Sequence, residues 1–228
     1  MELLSCRPIA RIENDFTGLF GIPRQSGLLE QLESRIVFEK PYGQKEAVRG
    51  LESFSHLWLI WQFSEHTDPA FHATVRPPRL GGNTRVGVFA TRSPFRPNPI
   101  GLSCVKLKRI EVLPRHAPVL IVTGADLLSG TPILDIKPYL PLTDARPDAR
   151  AGFAEQTASH ALTVRCPDDL LARVPETKRS SLIALLAQDP RPGYQNDPSR
   201  EYIFSFAHIT IRFHVNGTVL TVTDVEPE

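Results

Sequence analysis

The sequence predicts a mainly β fold, in which a small antiparallel β-barrel precedes a smaller C-terminal α+β domain. Short apolar or alternating runs recur along residues 1–140 with turn residues between them, and no helical periodicity of ordinary helix length interrupts them. The pattern then changes after residue 145. Many short strands at regular spacing favour an antiparallel barrel or sandwich over βαβ units.

The strands of the first half are separated by glycine, proline or polar residues. The aromatic run 56–63 is too short for a typical helix and too apolar for an exposed strand, so it predicts a central strand of the core. A brief helix is predicted over 45–51. The predicted strands cover 8–13, 35–38, 56–63, 86–90, 102–112, 118–126 and 132–139.

The second half begins after a proline-rich, charged connector over 141–152, which predicts domains at 1–145 and 146–228. Acidic residues after Pro167 are typical of a first helical turn, where the helix dipole favours them. Asn216-Gly217 between alternating runs predicts a hairpin. The predicted order is a strand over 162–166, a helix from 167, a helix over 176–188, and a hairpin of 209–215 with 219–225.

Composition indicates a globular protein that stays in the cytoplasm. Of 228 residues, 41% are hydrophobic and 22% are charged, the net charge is +1, and no apolar run is long enough to span a bilayer. The N-terminus lacks the basic and apolar regions of a signal peptide. Three distant cysteines predict neither a disulfide framework nor a zinc site, and we expect no metal and no membrane or DNA partner.

A central segment, residues 85–107, carries the strongest functional pattern. Prolines at 94, 97 and 99 stiffen its loop, which presents Arg92 and Arg96, and no acidic residue occurs from 76 to 110. Guanidinium groups fit carboxylates and phosphates, so the segment predicts an anion site, either for a carboxylated cofactor or for an RNA backbone. Any single arginine is as well explained by hydrogen bonds to loop carbonyls.

Several enzyme classes lack their motifs. No GxGxxG, Walker or GxSxG pattern is present, which disfavours a Rossmann cofactor domain, a nucleoside triphosphatase and a serine hydrolase. A metal hydrolase using His56, His66 and His72 is a weaker hypothesis, because their spacing is not that of a known metal motif. From the residues alone, the sequence predicts an anion-binding β protein.

Long motifs in both halves closely resemble the TrmO (TsaA-like, formerly YaeB) tRNA methyltransferases. They follow one order along the chain, and chance agreement over such lengths is very improbable. The motifs are Pro23-Arg24-Gln25, Ala47-Val48-Arg49-Gly50-Leu51-Glu52, Phe54-Ser55-His56-Leu57-Trp58, Arg76-Pro77-Pro78-Arg79, residues 87–93, Phe95-Arg96-Pro97-Asn98-Pro99-Ile100-Gly101, Gly130-Thr131-Pro132, residues 135–141 and residues 187–194.

This resemblance implies a homodimeric barrel enzyme that uses S-adenosyl-L-methionine to methylate N6 of threonylcarbamoyladenosine (t6A) at position 37 of tRNA, giving m6t6A. Family members often have histidine after the phenylalanine that matches Phe63, where this chain has Ser64. The donor-binding residues implied by the resemblance are Pro23, Arg24, Gln25, Ser64, Glu65, Arg92, Leu102, Asp126, Leu127, Leu128, Gly130 and Thr131.

The tRNA carrying t6A37 is the implied partner, and a single-stranded anticodon loop suits aromatic stacking and basic residues. Tyr194 is the candidate near the target base, and Arg191 or a central-loop arginine is the candidate for the t6A carboxylate. The alternative is a non-catalytic β-barrel module that binds RNA or a nucleotide. The predicted tRNA-binding residues are Arg76, Arg79, Arg96, Lys106, Lys108, Arg109 and Arg191.

Overall fold

A computed structural model describes residues 5–23, 25–65, 71–77, 80, 83–112, 117–157, 161–191 and 197–228. Twelve strands dominate the described residues, with three short α-helices. In chain order these are β1 Ala10–Glu13, β2 Glu33–Phe38, β3 His56–Gln62, β4 Thr74–Val75, β5 Val86–Gly87, β6 Ile100–Glu111, β7 Val119–Thr123, β8 Pro132–Pro138, α1 Pro141–Asp144, β9 Thr163–Arg165, α2 Asp168–Ala172, α3 Glu176–Ala187, β10 Tyr202–Phe206, β11 Ile209–Asn216 and β12 Val219–Pro227.

Six strands close into a barrel in the order β1-β2-β7-β6-β3-β8, and every neighbouring pair is antiparallel. The predicted fold class is therefore confirmed. Side chains alternate between the two faces of each strand, so one set fills the interior. With three residues from the segments between strands, Val48, Ala125 and Leu127, the core consists of Ala10, Ile12, Ile36, Leu57, Leu59, Trp61, Val105, Leu120, Val122 and Ile133.

The aromatic run forms β3 between β6 and β8, which confirms a central strand of the core. Leu57, Leu59 and Trp61 face the barrel interior, while the residues between them are at least partly exposed. On the outer face, the Trp58 indole N–H donates to Asp144 of α1 (2.8 Å). The strand is therefore used on both faces, which explains why its sequence is apolar almost throughout.

A second sheet has the order β10-β11-β12-β9, with β12 and β9 parallel. The predicted hairpin at Asn216-Gly217, the strand near 162–166 and both helices are confirmed. The strand β10 was not predicted. Its interior residues Tyr202 and Phe204 flank Ile203, which is half exposed, so apolar side chains on both faces hide the alternation on which a strand prediction depends.

Two local predictions need correction. The strand predicted over 86–90 ends at Gly87, and a 3-10 turn spans Val88–Ala90. Both the N–H and the hydroxyl of Thr91 donate to the Val88 carbonyl (3.1 and 2.8 Å), which closes this turn instead of extending the strand. The brief helix predicted over 45–51 is two 3-10 turns, Lys45–Val48 and Leu51–Ser53.

The chain divides into two compact units: Met1–Asn14, Arg24–Ala70 and Pro97–Ala145 form one, and Asp15–Pro23, Phe71–Arg96 and Arg146–Glu228 form the other. Within the second unit, Phe16 contacts Phe206, and a Cβ on Gly21 would lie 2.6 Å from the Phe204 ring. Packing therefore groups two early segments with C-terminal residues. A functional boundary at 145/146 stays a prediction.

None of the helices in the described ranges is long and apolar enough to cross a membrane.

Candidate active site

A chain of three hydrogen-bonded side chains runs from the barrel interior to Asp126. Trp61 on β3 donates its indole N–H to the Ser103 hydroxyl (2.9 Å), and Ser103 on β6 donates to Asp126 Oδ1 (2.5 Å). Ser103 is fully buried, so its hydroxyl is satisfied on both sides. The carboxylate of Asp126 is thereby held by a group that the barrel itself fixes.

Gly101 allows this arrangement because it lies directly opposite Trp61 in the β3–β6 register. A Cβ at Gly101 would lie 2.2–2.6 Å from three indole carbons. The indole therefore lies across the backbone of β6, where any side chain would collide with it. Gly101 is the last residue of the motif 95–101, so contact with the Trp61 ring explains why that motif ends in glycine.

The turn after β7 brings the residue-25 region to the same part of the barrel. Gly124 has φ +79°, and the N–H of Gly27 donates to its carbonyl (2.8 Å). A Cβ on Gly124 would lie 3.1 Å from the Gly27 backbone. Ser26 accepts a hydrogen bond from the N–H of Cys104 (3.2 Å). Gln25, Leu102 and Asp126 consequently belong to segments that the barrel holds together.

The segment 126–131 is anchored on β1 and its extension. Asn14 donates its amide to the Leu127 carbonyl (2.9 Å) and its backbone N–H to Ser129 Oγ (3.2 Å). The N–H of Gly130 donates to the Ile12 carbonyl (2.7 Å). Leu127 and Thr131 are buried as whole residues, and both backbone groups of Thr131 already form hydrogen bonds, with Leu128 (3.1 Å) and Ile12 (3.2 Å). Leu128 is half-buried.

The other residues that the sequence predicts to bind the methyl donor lie in several different places. Leu102 is 45% exposed, on the face of β6 opposite Ser103, and Ser64 and Glu65 are exposed beyond β3. Pro23 and Arg92 belong to the second compact unit, where Pro23 is buried and Arg92 is exposed. Arg24 lies outside the described residues, as does the candidate base-side residue Tyr194. Their roles stay predictions.

The predicted tRNA-binding cations of β6 are paired with carboxylates. Lys106 contacts Glu30 (3.4 Å), and Glu33 receives both Lys108 (2.5 Å) and Arg109 (3.1 Å). Hydrogen bonds from Arg109 and then from Lys108 lower the pKa of Glu33 to about 2. Arg109 also contacts Glu111 (2.9 Å). The cations at this end of the acid-free run are therefore neutralised by glutamates that the fold brings to them.

Arginines of the segment 71–96 have different partners. Arg96 donates to the carbonyls of Thr91 and Ser93 (2.9 and 3.2 Å), which is the loop-shaping role that the sequence left open. Arg85 donates to Thr74 Oγ1 (3.1 Å). Arg76 and Arg92 are exposed, and within the described part of the chain no carboxylate lies within 4 Å of either. Arg79 is outside the described residues.

Arg191 is buried in the second unit and forms a bidentate pair with Asp189 (2.8 and 2.9 Å). The Asp189 carboxylate, as the hydrogen-bond partner, raises the pKa of Arg191, which therefore stays charged.

On the barrel, burial raises the pKa of the Cys104 thiol. Cys104 is thus a protonated, half-buried thiol at neutral pH and not an activated nucleophile.

Two cavities of about 440 and 330 Å3 open elsewhere on the barrel. Residues such as Phe38, Tyr42 and Val48 line the larger one, and neither cavity contains a predicted donor residue. Among the residues that the structure describes, no three His, Cys, Asp or Glu side chains converge as metal ligands. His66, one of the three histidines of the metal hypothesis, lies outside those residues.

Sequence reasoning missed Trp61, Ser103 and Ser26. A signal was present for Ser103, because the alternation of β6 places it on the interior face between Gly101 and Val105. A buried polar side chain requires a partner, so a serine at an interior strand position indicates a hydrogen-bond network. Nothing local in the sequence indicates that Ser26 would meet Cys104, which is 78 residues away.

Comparison with known proteins gives matches in both halves. A model of the tRNA-methyltransferase O N-terminal domain matches residues 11–145, and a model of the TrmO C-terminal domain matches residues 159–228. The chain is 39% identical to the tRNA (adenine(37)-N6)-methyltransferase of Escherichia coli strain K12, and the alignment covers all of both chains.

Two further matches come from Pseudomonas aeruginosa. One, named a putative S-adenosylmethionine-dependent methyltransferase RcsF, is 39% identical over 92% of both chains. The other is a crystal structure of TrmO with a TM-score of 0.80 at 33% identity, covering 100% of this chain and 99% of that one. Because the N-terminal model alone matches more than half of the sequence and relatives align along nearly all of it, the chain belongs to the TrmO family of tRNA methyltransferases.

Proposed function

We propose that this chain methylates N6 of adenosine 37 in tRNA with S-adenosyl-L-methionine as donor, and that the adenosine carries the threonylcarbamoyl group, so that t6A becomes m6t6A. The observation that carries the proposal is the end-to-end alignment with a relative named for adenine-37 N6 methylation. The name of the Pseudomonas relative supports the donor. The proposed enzyme works in the cytoplasm, where tRNA is modified.

The described residues of the barrel have the chemistry that the donor needs. Asp126, oriented by Ser103, is a carboxylate able to accept hydrogen bonds from hydroxyl or ammonium groups of the donor. Leu102 presents an exposed apolar side chain able to cover a purine. Leu127 and Thr131 are buried, so the proposal gives them the role of supporting this site.

When bound, the donor supplies an electrophilic methyl group on a sulfonium sulfur. The nucleophile attacks the methyl carbon in line with the carbon–sulfur bond, and the sulfur leaves as a neutral thioether. The main task of the protein is therefore alignment of N6 and exclusion of water, and no protein nucleophile is required. In t6A the N6 belongs to a ureido group and is a weak nucleophile, so its proton must be accepted as the new bond forms. Tyr194 is the proposed residue beside the base.

The t6A carboxylate needs a cation, and the proposal assigns it to an arginine. Arg191 already has a bidentate carboxylate partner in Asp189, which would compete with the substrate carboxylate. Arg76 and Arg92 are exposed without such a partner among the described residues. This contrast favours a central-segment arginine over Arg191 for binding the t6A carboxylate.

The homodimer is proposed on the family resemblance alone, and sedimentation velocity tests it.

The function is tested by incubating purified protein with labelled donor and two tRNA preparations, with and without t6A. We expect methylated t6A in nucleoside mass spectra of the first preparation and little product in the second, because a substrate that lacks the carboxylate leaves the assigned arginine without its partner. No product with either tRNA would overturn the function. Equal rates would overturn carboxylate reading alone, and failure to bind the donor would favour the non-catalytic binding module.

A further inference from the structure

Two phenylalanine rings stand exposed in the segment 71–96. Phe71 is 53% exposed and Phe89 is 72% exposed, and their centroids lie 6.3 Å apart with 27° between the ring planes. Large aromatic rings are costly to leave in water, so an exposed pair indicates a binding surface. We name Phe71, Phe89 and the guanidinium of Arg96 the aromatic patch.

The local backbone holds this patch in place. The pairing of β4 with β5 sets Thr74 opposite Gly87, and the N–H of Val88 donates to the Ala73 carbonyl (3.0 Å). The side chain of Val88 is buried, so the 3-10 turn Val88–Ala90 directs the next residue, Phe89, outward. The two rings thus flank a hydrogen-bonded pair of strands, since Phe71 precedes β4 and Phe89 lies in the turn that follows β5.

Arg96 adds a fixed positive charge to the patch. Its guanidinium lies 5.9 Å from the Phe89 centroid, and it is oriented by the Thr91 and Ser93 carbonyls. Beyond it, the segment contains four more arginines and no acidic residue from 71 to 96. Exposed aromatic faces bordered by cations, without acids, match a ligand with stacked planar bases and a negatively charged backbone.

We propose that the aromatic patch is a stacking platform for unpaired bases of the tRNA substrate, with the neighbouring arginines on the phosphates. This inference rests on the proposed function and adds to it the surface that holds the single-stranded loop. A second copy of the chain is the competing occupant, and the sedimentation measurement below distinguishes it from tRNA.

The test measures tRNA binding and methylation by the full chain with Phe71→Ala, Phe89→Ala and Phe89→Tyr. Each alanine variant is expected to weaken tRNA affinity about tenfold, which lies within the range for loss of one base-aromatic stack. Phe89→Tyr keeps an aromatic face and should retain affinity. Leu142→Ala is the matched control, since Leu142 is 98% exposed on the barrel unit and outside the patch.

Salt dependence distinguishes stacking from charge. The alanine variants should lower affinity at every salt concentration and leave the slope of log affinity against log salt unchanged, since the slope counts phosphate contacts. Wild-type tRNA affinity in both alanine variants would overturn the proposal, and so would a loss of affinity that coincides with conversion of a dimer to a monomer in sedimentation. Failure of the wild-type protein to methylate any tRNA would instead reject the proposed function itself.

Discussion

Two cationic parts of the sequence, the β6 strand and the segment 71–96, have opposite charge environments in the fold. On β6, Lys106, Lys108 and Arg109 contact glutamates from β2, from the chain before it and from β6 itself. In the segment 71–96, Arg76 and Arg92 have no carboxylate within 4 Å in the described part of the chain. A run of cations thus becomes an available positive surface only where no neighbouring strand supplies acids.

The same contrast extends to neutral groups. In the barrel, Trp61 and Ser103 are buried and hydrogen-bonded, so they act by holding Asp126 in position. In the segment 71–96, the side chains of Phe71 and Phe89 are exposed and contribute little to a buried core. Substitutions in the barrel should therefore cost stability or donor binding, whereas substitutions in the segment should cost partner binding and leave the fold intact.

The largest effect is expected for Gly101→Ala. The new methyl group would overlap the Trp61 indole, so the barrel should lose about 1–3 kcal/mol of unfolding free energy, as overpacked cores do. Differential scanning calorimetry should show a fall of about 2–4 °C in Tm for each kcal/mol. Gly87→Ala is the matched control, because nothing lies within 4 Å of the added Cβ. Equal Tm shifts for the two variants would contradict the contrast.

Ser103→Ala is expected to act on donor binding. It removes a hydrogen bond to a carboxylate, an interaction worth about 1.5–3 kcal/mol, so donor Kd should rise about tenfold or more in titration calorimetry. Ser34→Ala, at an equally buried serine of β2, controls for the loss of a buried hydroxyl. If both variants bind the donor like the wild type, Asp126 is not positioned for the donor by Ser103.

A smaller effect on tRNA binding separates the two cationic stretches directly. Arg76→Gln should weaken tRNA binding several-fold and reduce the salt slope by about 0.7, the value for one contact to a single strand. Lys108→Gln should change affinity much less, because Glu33 already neutralises Lys108. Filter-binding titrations at several salt concentrations check both. A larger loss of tRNA affinity in Lys108→Gln than in Arg76→Gln would contradict the contrast between the two cationic stretches.

The smallest effect concerns Glu33. Its pKa in the folded protein is about 2, lowered by Arg109 and Lys108 from a usual 4.5, so its contribution to stability is present above pH 4.5 and is lost as the pH falls toward 2. Because its side chain is 37% exposed, solvent screening limits the contribution to about 1 kcal/mol.

Glu33→Gln should therefore flatten the pH dependence of urea unfolding between pH 5 and 2, from the pKa values above. It should also release Lys108 and strengthen tRNA binding slightly at neutral pH. An unchanged acid profile would show that the ion pairs of Glu33 contribute nothing to stability.

Sequence by itself determined the fold class and most elements. The aromatic run predicted β3, the alternation of β11 directly reflects which face of that strand is buried, and Asn216-Gly217 fixes a hairpin locally. The long motifs determined the family, and the motif glycine at 101 is explained by a contact with Trp61, 40 residues earlier in the chain.

Tertiary structure alone decided which charges are neutralised and which polar groups meet. Glu33 reaches Lys108 across 75 residues, and Ser103 reaches Asp126 across 23, because strand pairing brings distant segments into contact. It also placed residues 15–23 with the C-terminal sheet, through Phe16 and Gly21. Local sequence patterns report the environment of a side chain, whereas its partners depend on the register of strands that closure of the barrel fixes.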